Sequence, residues 1–399
     1  LIYCGRVGTG FGLSAMRDLF AQLQKRERSP FAVGPRRDEM QGVHWVDPAL
    51  VAEVRFSNWT GDGRLRHPAF LGVRQDKEPR QVQRETAKGV PPSKPKPAAQ
   101  GATGSKQKTA HGNTVANVSL TSGDRVVDST SGTTKLDLAR YYEAVGDWIL
   151  PHVVDRPLSL VRCPEGRHGA CFYQKHLTRG MPAAVDGVEI TEDSGEAATY
   201  LVIHDLEGLI SLVQFGAMEL HPWGSRIDRL DRPDRLVVDL DPADDVAWPA
   251  VVQGVKELRH FLRALPLESF VRTSGGKGLH VVVPLVRRTA WGDAKQFAKG
   301  VADTLTKRAP DKYLATASKA QRRGKIFIDY LRNGQGSTAV ASYSTRARAN
   351  VPVATPLGWK ELDSLAGPAE FTLGNIPQRL QSGEDPWQGF FDVRQSLTK

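Results

Sequence analysis

Asp239 and Asp241 sit two apart inside the apolar run Leu236–Pro242, LVVDLDP. Residues two apart on a strand share a face, so both carboxylates leave the same side. Two anions held that close repel each other. A divalent cation relieves the repulsion, and Mg²⁺ or Mn²⁺ prefers such oxygen donors. Pro242 stops the strand just after the pair and places it at an exposed sheet end. Asp329, in the second apolar run KIFIDYL, is a third candidate. Three carboxylates on neighbouring strands could hold two metals for an in-line phosphoryl displacement. An Asp-x-Asp pair alone also fits a strand-end turn or a sugar-nucleotide site.

Between these runs lies RTSGGKGLH, Arg272–His280, followed by three valines. Its three glycines let main-chain amides approach a phosphate closely, Lys277 adds charge, and His280 falls on the next strand. The spacing is not that of the common GxxxxGK[ST] loop, and a hairpin turn with a solvated lysine is the plainer alternative. Cys163, His168, Cys171 and His176 could ligate zinc, but their spacing matches no common finger. We expect no zinc site there.

LVVDLDP, then TSGGKGLHVVVPL, then KIFIDYLRNGQGSTAVASYSTRARANVPVATPLGW occur in an order that resembles the polymerase domains of bacterial DNA ligase D, which are of the archaeo-eukaryotic primase type. The resemblance runs from about residue 120 to the C-terminus. It implies that Asp239, Asp241 and Asp329 are catalytic metal ligands. Ser274, Lys277, His280 and Arg322 would bind the incoming nucleotide, with His221, Arg332, Arg346 and Arg348 completing the pocket. It also implies two divalent metals, with Mn²⁺ used well, a nucleoside triphosphate substrate with a preference for ribonucleotides, and the bacterial Ku end-binding protein as partner. Phe172, Tyr173 and Lys175 look like the segment that stacks on template bases, although a core strand is the plainer reading of the aromatic pair. Family members grip the 5′-phosphate of a DNA break with Asn-Pro-Asp-Lys and a lysine ten residues on. Here Ser122, Arg125 and Lys135 stand in those places, with Ser122 replacing the Asn.

Residues 1–82 resemble the C-terminal OB-fold domain of ATP-dependent ligases. Gly5–Phe11, Gly42–Trp45, Trp59–Thr60 and Arg66–Lys77 carry that likeness. Arg66, Arg74 and Lys77 match the final ligase motif, whose basic residues orient the leaving pyrophosphate of ATP. The K-x-D-G signature of the adenylylated lysine occurs nowhere in the chain. We therefore expect no ligation from it, and expect it to be a piece of a longer protein.

The elements that must position these groups follow from pattern. Residues 83–120 are rich in Pro, Gly, Ala, Ser and Lys and read as a flexible basic linker. In 1–82, LIYCGRV and LVAEVRF alternate like strands, and Ser14–Lys25 has helical spacing, as suits a small β-barrel. In 121–399, strands such as SLVRC, YLVIHD and LHVVVPL alternate with helical stretches near 136–149, 205–216, 246–264 and 290–308. The fold class is α+β with a central mixed sheet. The chain has 399 residues and a formal net charge of +10, which favours a polyanionic partner such as nucleic acid. No apolar run approaches membrane-spanning length. Three cysteines argue against a disulfide framework and for a reducing, cytoplasmic, nucleoid-associated setting.

Metal-dependent nucleotidyl transfer onto DNA ends, in non-homologous end joining, is the function these residues favour. A non-catalytic module that binds DNA ends is the alternative. Pure binding leaves three acidic residues facing DNA without a purpose, and sugar-nucleotide transfer leaves SGGKGLH unexplained.

Overall fold

The computed structural model describes residues 113–397 except 193–194, 318–320 and 383–384, and, of the first 82, residues 1–7, 19–20, 22–31, 34–35, 40, 42–55, 58–59, 64–66, 69–74, 79 and 82. The chain divides into two units, Leu1–Gly104 and Ser105–Lys399.

In the first unit, Val51–Arg55 pairs antiparallel with Ala69–Arg74, with a register shift between Glu53 and Val54. Asn58–Trp59 pairs with Leu65–Arg66. The alternation of LVAEVRF is thus realised as a strand. That of LIYCGRV is not: residues 1–7 carry only an isolated bridge position at Ile2. Of the expected helix from Ser14 to Lys25, Leu19, Phe20 and Gln22 are helical, Lys25 instead bridges Val46, and Ser14 lies outside the described residues.

The second unit begins earlier than its composition suggests. Thr114–Val115 and Val118–Ser119 form a small hairpin, and Val115 and Leu120 are buried. Residues 113–120, read as linker, therefore belong to the folded unit, while 83–112 lie outside the described residues. Eleven strands build two sheets: β1 Leu158–Arg162, β2 Phe172–Gln174, β3 Asp186–Thr191, β4 Ala197–Val202, β5 Ala217–Pro222, β6 Arg235–Pro242, β7 Phe270–Thr273, β8 Leu279–Pro284, β9 Tyr313–Leu314, β10 Ile326–Asp329 and β11 Pro356–Leu357. The first sheet runs β2-β1-β4-β3, with β5 on the other edge of β1. The second runs β9-β10-β6-β8-β7-β11 and is antiparallel except for β9 with β10. The helices are α1 Lys135–Ala144, α2 Gly146–Val153, α3 Leu206–Gln214, α4 Trp248–Ala264, α5 Trp291–Arg308 and α6 Ile376–Ser382. The stretch expected as one helix over 136–149 is two, broken at Val145, and the second continues to Val153 through Pro151.

Strand β6 divides its side chains by the pleat. Leu236, Val238 and Leu240 enter the main core, where Gly254 of α4 packs against Leu240 and Ile326. Arg235, Val237, Asp239 and Asp241 face the other side, on which Val237 meets Val282, Trp387 and Phe390. The site is built on that second face.

Candidate active site

Register, more than sequence proximity, assembles the site. Asp239 of β6 lies opposite Asp329 of β10 on one side and His280 of β8 on the other, and His280 lies opposite Arg272 of β7. Directly paired residues share a face, so Asp329, Asp239, His280 and Arg272 form one row across the sheet. Asp241 is one step along the same face of β6. Arg272 directs its Nε and Nη2 onto His280 Nδ1 at 3.3 and 3.2 Å. That leaves the proton on Nε2, which points at Asp239 Oδ2 at 3.4 Å. Burial holds His280 below its ordinary pKa and so neutral. Burial opposes the charge on Asp239, but His280 and Arg332 outweigh it and hold that carboxyl below the usual range. Asp329 is pushed up, first by burial and then, against Arg332, by Asp239 and Asp241.

Two arginines sit on the carboxylates. Arg322 donates to Asp241 at 2.8 Å, and Arg332 lies 3.1 Å from Asp329 and 3.9 Å from Asp239. Among the described residues no three His, Cys, Asp or Glu side chains are gathered into a metal cage. The donor set still suits a hard divalent cation: all donors are carboxylate oxygen, and Asp329 titrates high partly because its acidic neighbours repel its charge.

A cavity of about 440 Å³ lies over Asp239 and His280 of this row, whereas Asp329 and Arg322 are not among its lining residues. Asp239, Asp241, His280 and Arg332 line it from the sheet and the turn after β10. Ser274, Gly276, Lys277 and Gly278 line it from the glycine-rich hairpin, and Tyr173, His221, Arg346 and Arg348 from the first sheet and a long loop. The hairpin's shape explains its glycines. A Cβ on Gly278 would lie 2.1 Å from the Leu240 carbonyl oxygen, so only glycine lets the loop lie against β6. Gly275 adopts φ +61°, in the left-handed region. Ser274 Oγ accepts from the amides of Gly276 and Gly278 at 3.2 and 3.3 Å, which fixes the turn from within. Lys277 pairs with exposed Asp244. Arg348 lies beside Gly276 and has no carboxylate partner among the described residues.

Sequence reasoning missed Glu219. It is buried on β5, two residues before His221, and takes three contacts: His221 Nε2 at 2.8 Å, Arg346 Nε at 2.9 Å and the Ala347 amide at 2.8 Å. Burial works against its charge, yet these partners bring it down to about 2. Burial holds His221 low, so we assign a charged Glu219 beside a neutral histidine. The loop that carries Arg346 is anchored from α1 as well: Tyr141 donates to the Tyr343 carbonyl at 2.8 Å, and the Tyr142 hydroxyl meets Thr345 Oγ1 at 2.9 Å. Asn333 was missed too. Its amide bridges the Val237 backbone in both directions at 2.8 Å, taking over the pairing of β6 where β10 has ended. That clamp places the neighbouring Arg332 over Asp329. The signal for Glu219 was its spacing from His221; Asn333 gave none.

Of the other expected residues, only Tyr173 reaches this cavity. Phe172 and Tyr173 are 45% and 74% exposed on β2, so the core-strand reading of the pair does not hold. Phe172 lies under the Arg162 guanidinium at 5.2 Å, and Tyr173 meets the His221 ring at 6.0 Å. Lys175 instead joins Glu192 at 2.6 Å and Tyr200 at 3.1 Å. Arg125 and Lys135 line a separate cavity of about 140 Å³, and Ser122 forms the turn whose carbonyl takes the Arg125 amide at 3.0 Å. Lys135 opens α1 but is buried, and its amine donates to Gln214 Oε1, Gln214 O and Thr121 O at 2.6, 2.9 and 3.1 Å. Burial, then Arg125, lowers it to about 8. Arg66 and Arg74 end strands of the first unit, and Lys77 lies outside the described residues.

One expectation is overturned. Cys163 and Cys171 form a disulfide. The ladder places Phe172 opposite Arg162, so the two cysteines flank the first rung of β1 and β2 with Cα atoms 4.3 Å apart. Their neighbours His168 and His176 turn to Ser129 and Glu192 instead of to the sulfurs.

The family described as LigD, primase-polymerase domain, matches residues 134–387, and the ATP dependent DNA ligase C terminal region matches residues 1–77. The multifunctional non-homologous end joining protein LigD of Pseudomonas aeruginosa is 36% identical over 402 residues, spanning 100% of this chain and 47% of that protein. Its namesake in Mycolicibacterium smegmatis is 34% identical over 247 residues, 61% of this chain and 32% of its own length. This chain thus spans about half the length of these curated relatives, or less. The polymerase domain of Mycobacterium tuberculosis ligase D, solved in complex with DNA, superposes with a TM-score of 0.64 at 30% identity, over 68% of this chain and 97% of that domain.

Proposed function

This chain belongs to the LigD primase-polymerase family, and we propose that its second unit adds nucleotides to the 3′-hydroxyl of DNA ends during non-homologous end joining. The observation that carries this reading is the pair Asp239 and His280 at the floor of a cavity rimmed by Lys277, Arg332, Arg346 and Arg348, with Asp329 next to Asp239 in the strand register. Acidic groups at the floor and cations at the rim suit a triphosphate whose charge must be both held and redistributed.

Asp239, Asp241 and Asp329 would hold two divalent cations, Mn²⁺ or Mg²⁺. When bound, these make the primer hydroxyl a better nucleophile and offset charge on the leaving pyrophosphate. Arg322 and Arg332 now lie against those oxygens and would turn outward, towards phosphate. Lys277, Arg346 and Arg348 grip the triphosphate, with the two arginines offering forked donors. Neutral His280, its Nδ1 already occupied by Arg272, has only an Nε2 proton to give and donates it towards a phosphate oxygen. The primer hydroxyl releases its proton to solvent as its oxygen bonds to the α-phosphorus, the bond to the pyrophosphate breaks, and the chain grows by one nucleotide. Tyr173, exposed at the cavity edge, offers a face for a template base. Arg125 and Lys135 take the 5′-phosphate at the far side of a gap, and bacterial Ku brings the ends. Ligation is not part of this chain's activity, because it has no K-x-D-G lysine to carry the adenylate.

Primer extension on gapped DNA tests this reading. Asp239→Ala, Asp241→Ala and Asp329→Ala should each abolish metal-dependent extension while keeping the parent's circular dichroism. Full activity in Asp329→Ala would remove the two-metal assignment.

A further inference from the structure

Well along β6 from the carboxylates, a second cavity of about 430 Å³ is lined by four arginines: Arg226, Arg235, Arg287 and Arg394. Their countercharge is short. Asp234 is shared between Arg235, at 2.9 Å, and the fully buried Arg156, which grips both of its oxygens. Asp228 is taken by Arg287 at 2.6 and 2.7 Å. Arg226 comes no nearer than 3.8 Å to Asp155 and 3.9 Å to Asp234. Arg394 donates only to the main-chain carbonyls of Phe391 and Val393 among the described residues. The cavity also has an aromatic wall. Phe390 is buried and stacks on Trp387 at 4.7 Å, whereas Phe391 is 44% exposed.

We propose that this cavity binds a single-stranded segment of nucleic acid, its phosphates held by Arg226 and Arg394 and one base against Phe391. Three features point to that class of ligand. Guanidinium forks match phosphate oxygens. An exposed ring accepts any base, which suits strands of arbitrary sequence. The volume falls in the range of sites that take a nucleotide-sized group. Asp234 does not cancel the attraction, because Arg156 and Arg235 already consume it. Arg235 and Asp239 share a face of β6 and lie four residues apart, roughly 13 Å at a strand's rise per residue.

Fluorescence anisotropy with a labelled oligothymidylate of about twelve nucleotides, within the size that one such groove holds, tests the site. The exposed positions allow fold-safe changes. Phe391→Ala should weaken binding severalfold. Arg394→Ala should weaken it and lower the slope of log affinity against log salt by about one unit, as loss of one phosphate contact does. Lys307→Ala, in the last turn of α5 and lining neither cavity, should do neither. The proposal rests on this cavity and not on catalysis. Asp239→Asn should lose extension yet keep the oligonucleotide, so either claim can fail alone. Unchanged affinity and salt slope in both Phe391→Ala and Arg394→Ala, or an equal loss in Lys307→Ala, would overturn it.

Discussion

Glu219 is the residue whose role is easiest to test apart from chemistry. It touches no substrate in this scheme; it orients His221 and Arg346. Its carboxyl is held at about 2 against an ordinary 4.5. A depressed acid stabilises the fold above its unfolded pKa and loses that contribution as pH falls through the folded value. Glu219→Gln should therefore flatten the fall in stability between about pH 4.5 and 2 and cost about 1–3 kcal/mol at neutral pH, as buried partners lose charge-assisted bonds. Chemical unfolding across that pH window measures it. Nucleotide KM should rise more than kcat falls, because Arg346 is displaced while the carboxylates stay; an unchanged KM would assign Glu219 to the fold alone. Lys135 gives a second pH signature. With its amine lowered to about 8, it loses charge in the free protein above that pH. Gapped DNA with a 5′-phosphate should bind about tenfold better than the 5′-hydroxyl form, or about 1.4 kcal/mol. That preference should shrink as pH rises through about 8, and Lys135→Ala should remove most of it. Equal affinity for both ends at neutral pH would leave Arg125 and Lys135 as structural cations.

At the scale of elements, the carboxylate strands were legible because LVVDLDP and KIFIDYL combine unbroken apolar runs with acidic punctuation, a pattern few environments explain. The glycine-rich hairpin was legible as a close approach, though what it approaches is the Leu240 carbonyl of β6 as well as the cavity. Gly278→Ala should therefore displace the hairpin and raise nucleotide KM at least tenfold, with unfolding temperature less affected; a wild-type KM would show that the loop can sit elsewhere. Other elements were hidden. The break at Val145 between α1 and α2 was signalled only by Gly146, a lone glycine inside an otherwise helical spacing. β5 is buried throughout, so Glu219 and His221 show no alternation with an exposed face. Asn333 completes a ladder that only the end of β10 makes incomplete. The disulfide escaped because an odd count says nothing about which cysteines a hairpin register brings face to face.

On the scale of the whole chain, two compact units carry matches to two different families. The second unit, which carries the polymerase match, holds the carboxylates, the hairpin and the arginines on which the proposed function rests. The ligase match ends at residue 77 and brings no K-x-D-G lysine. Incubation with radiolabelled ATP should leave no protein–AMP adduct, and a stable adduct on any lysine would contradict that reading. No helix among the described residues is long and apolar enough to cross a membrane. The net charge of +10 instead suits a polyanion approached through screened, long-range attraction.

The central claim is that the strand carboxylates, gathered by register, are the centre of nucleotidyl transfer. Single-turnover addition of one nucleotide to a gapped primer by Asp239→Asn tests it most directly. The substitution keeps the shape of the side chain and removes its charge. We predict a loss of at least about a hundredfold in rate, the scale on which removing one preorganised charge-stabilising group acts, with gapped-DNA affinity unchanged. A rate within about threefold of the parent's, less than 1 kcal/mol in barrier, would contradict the account.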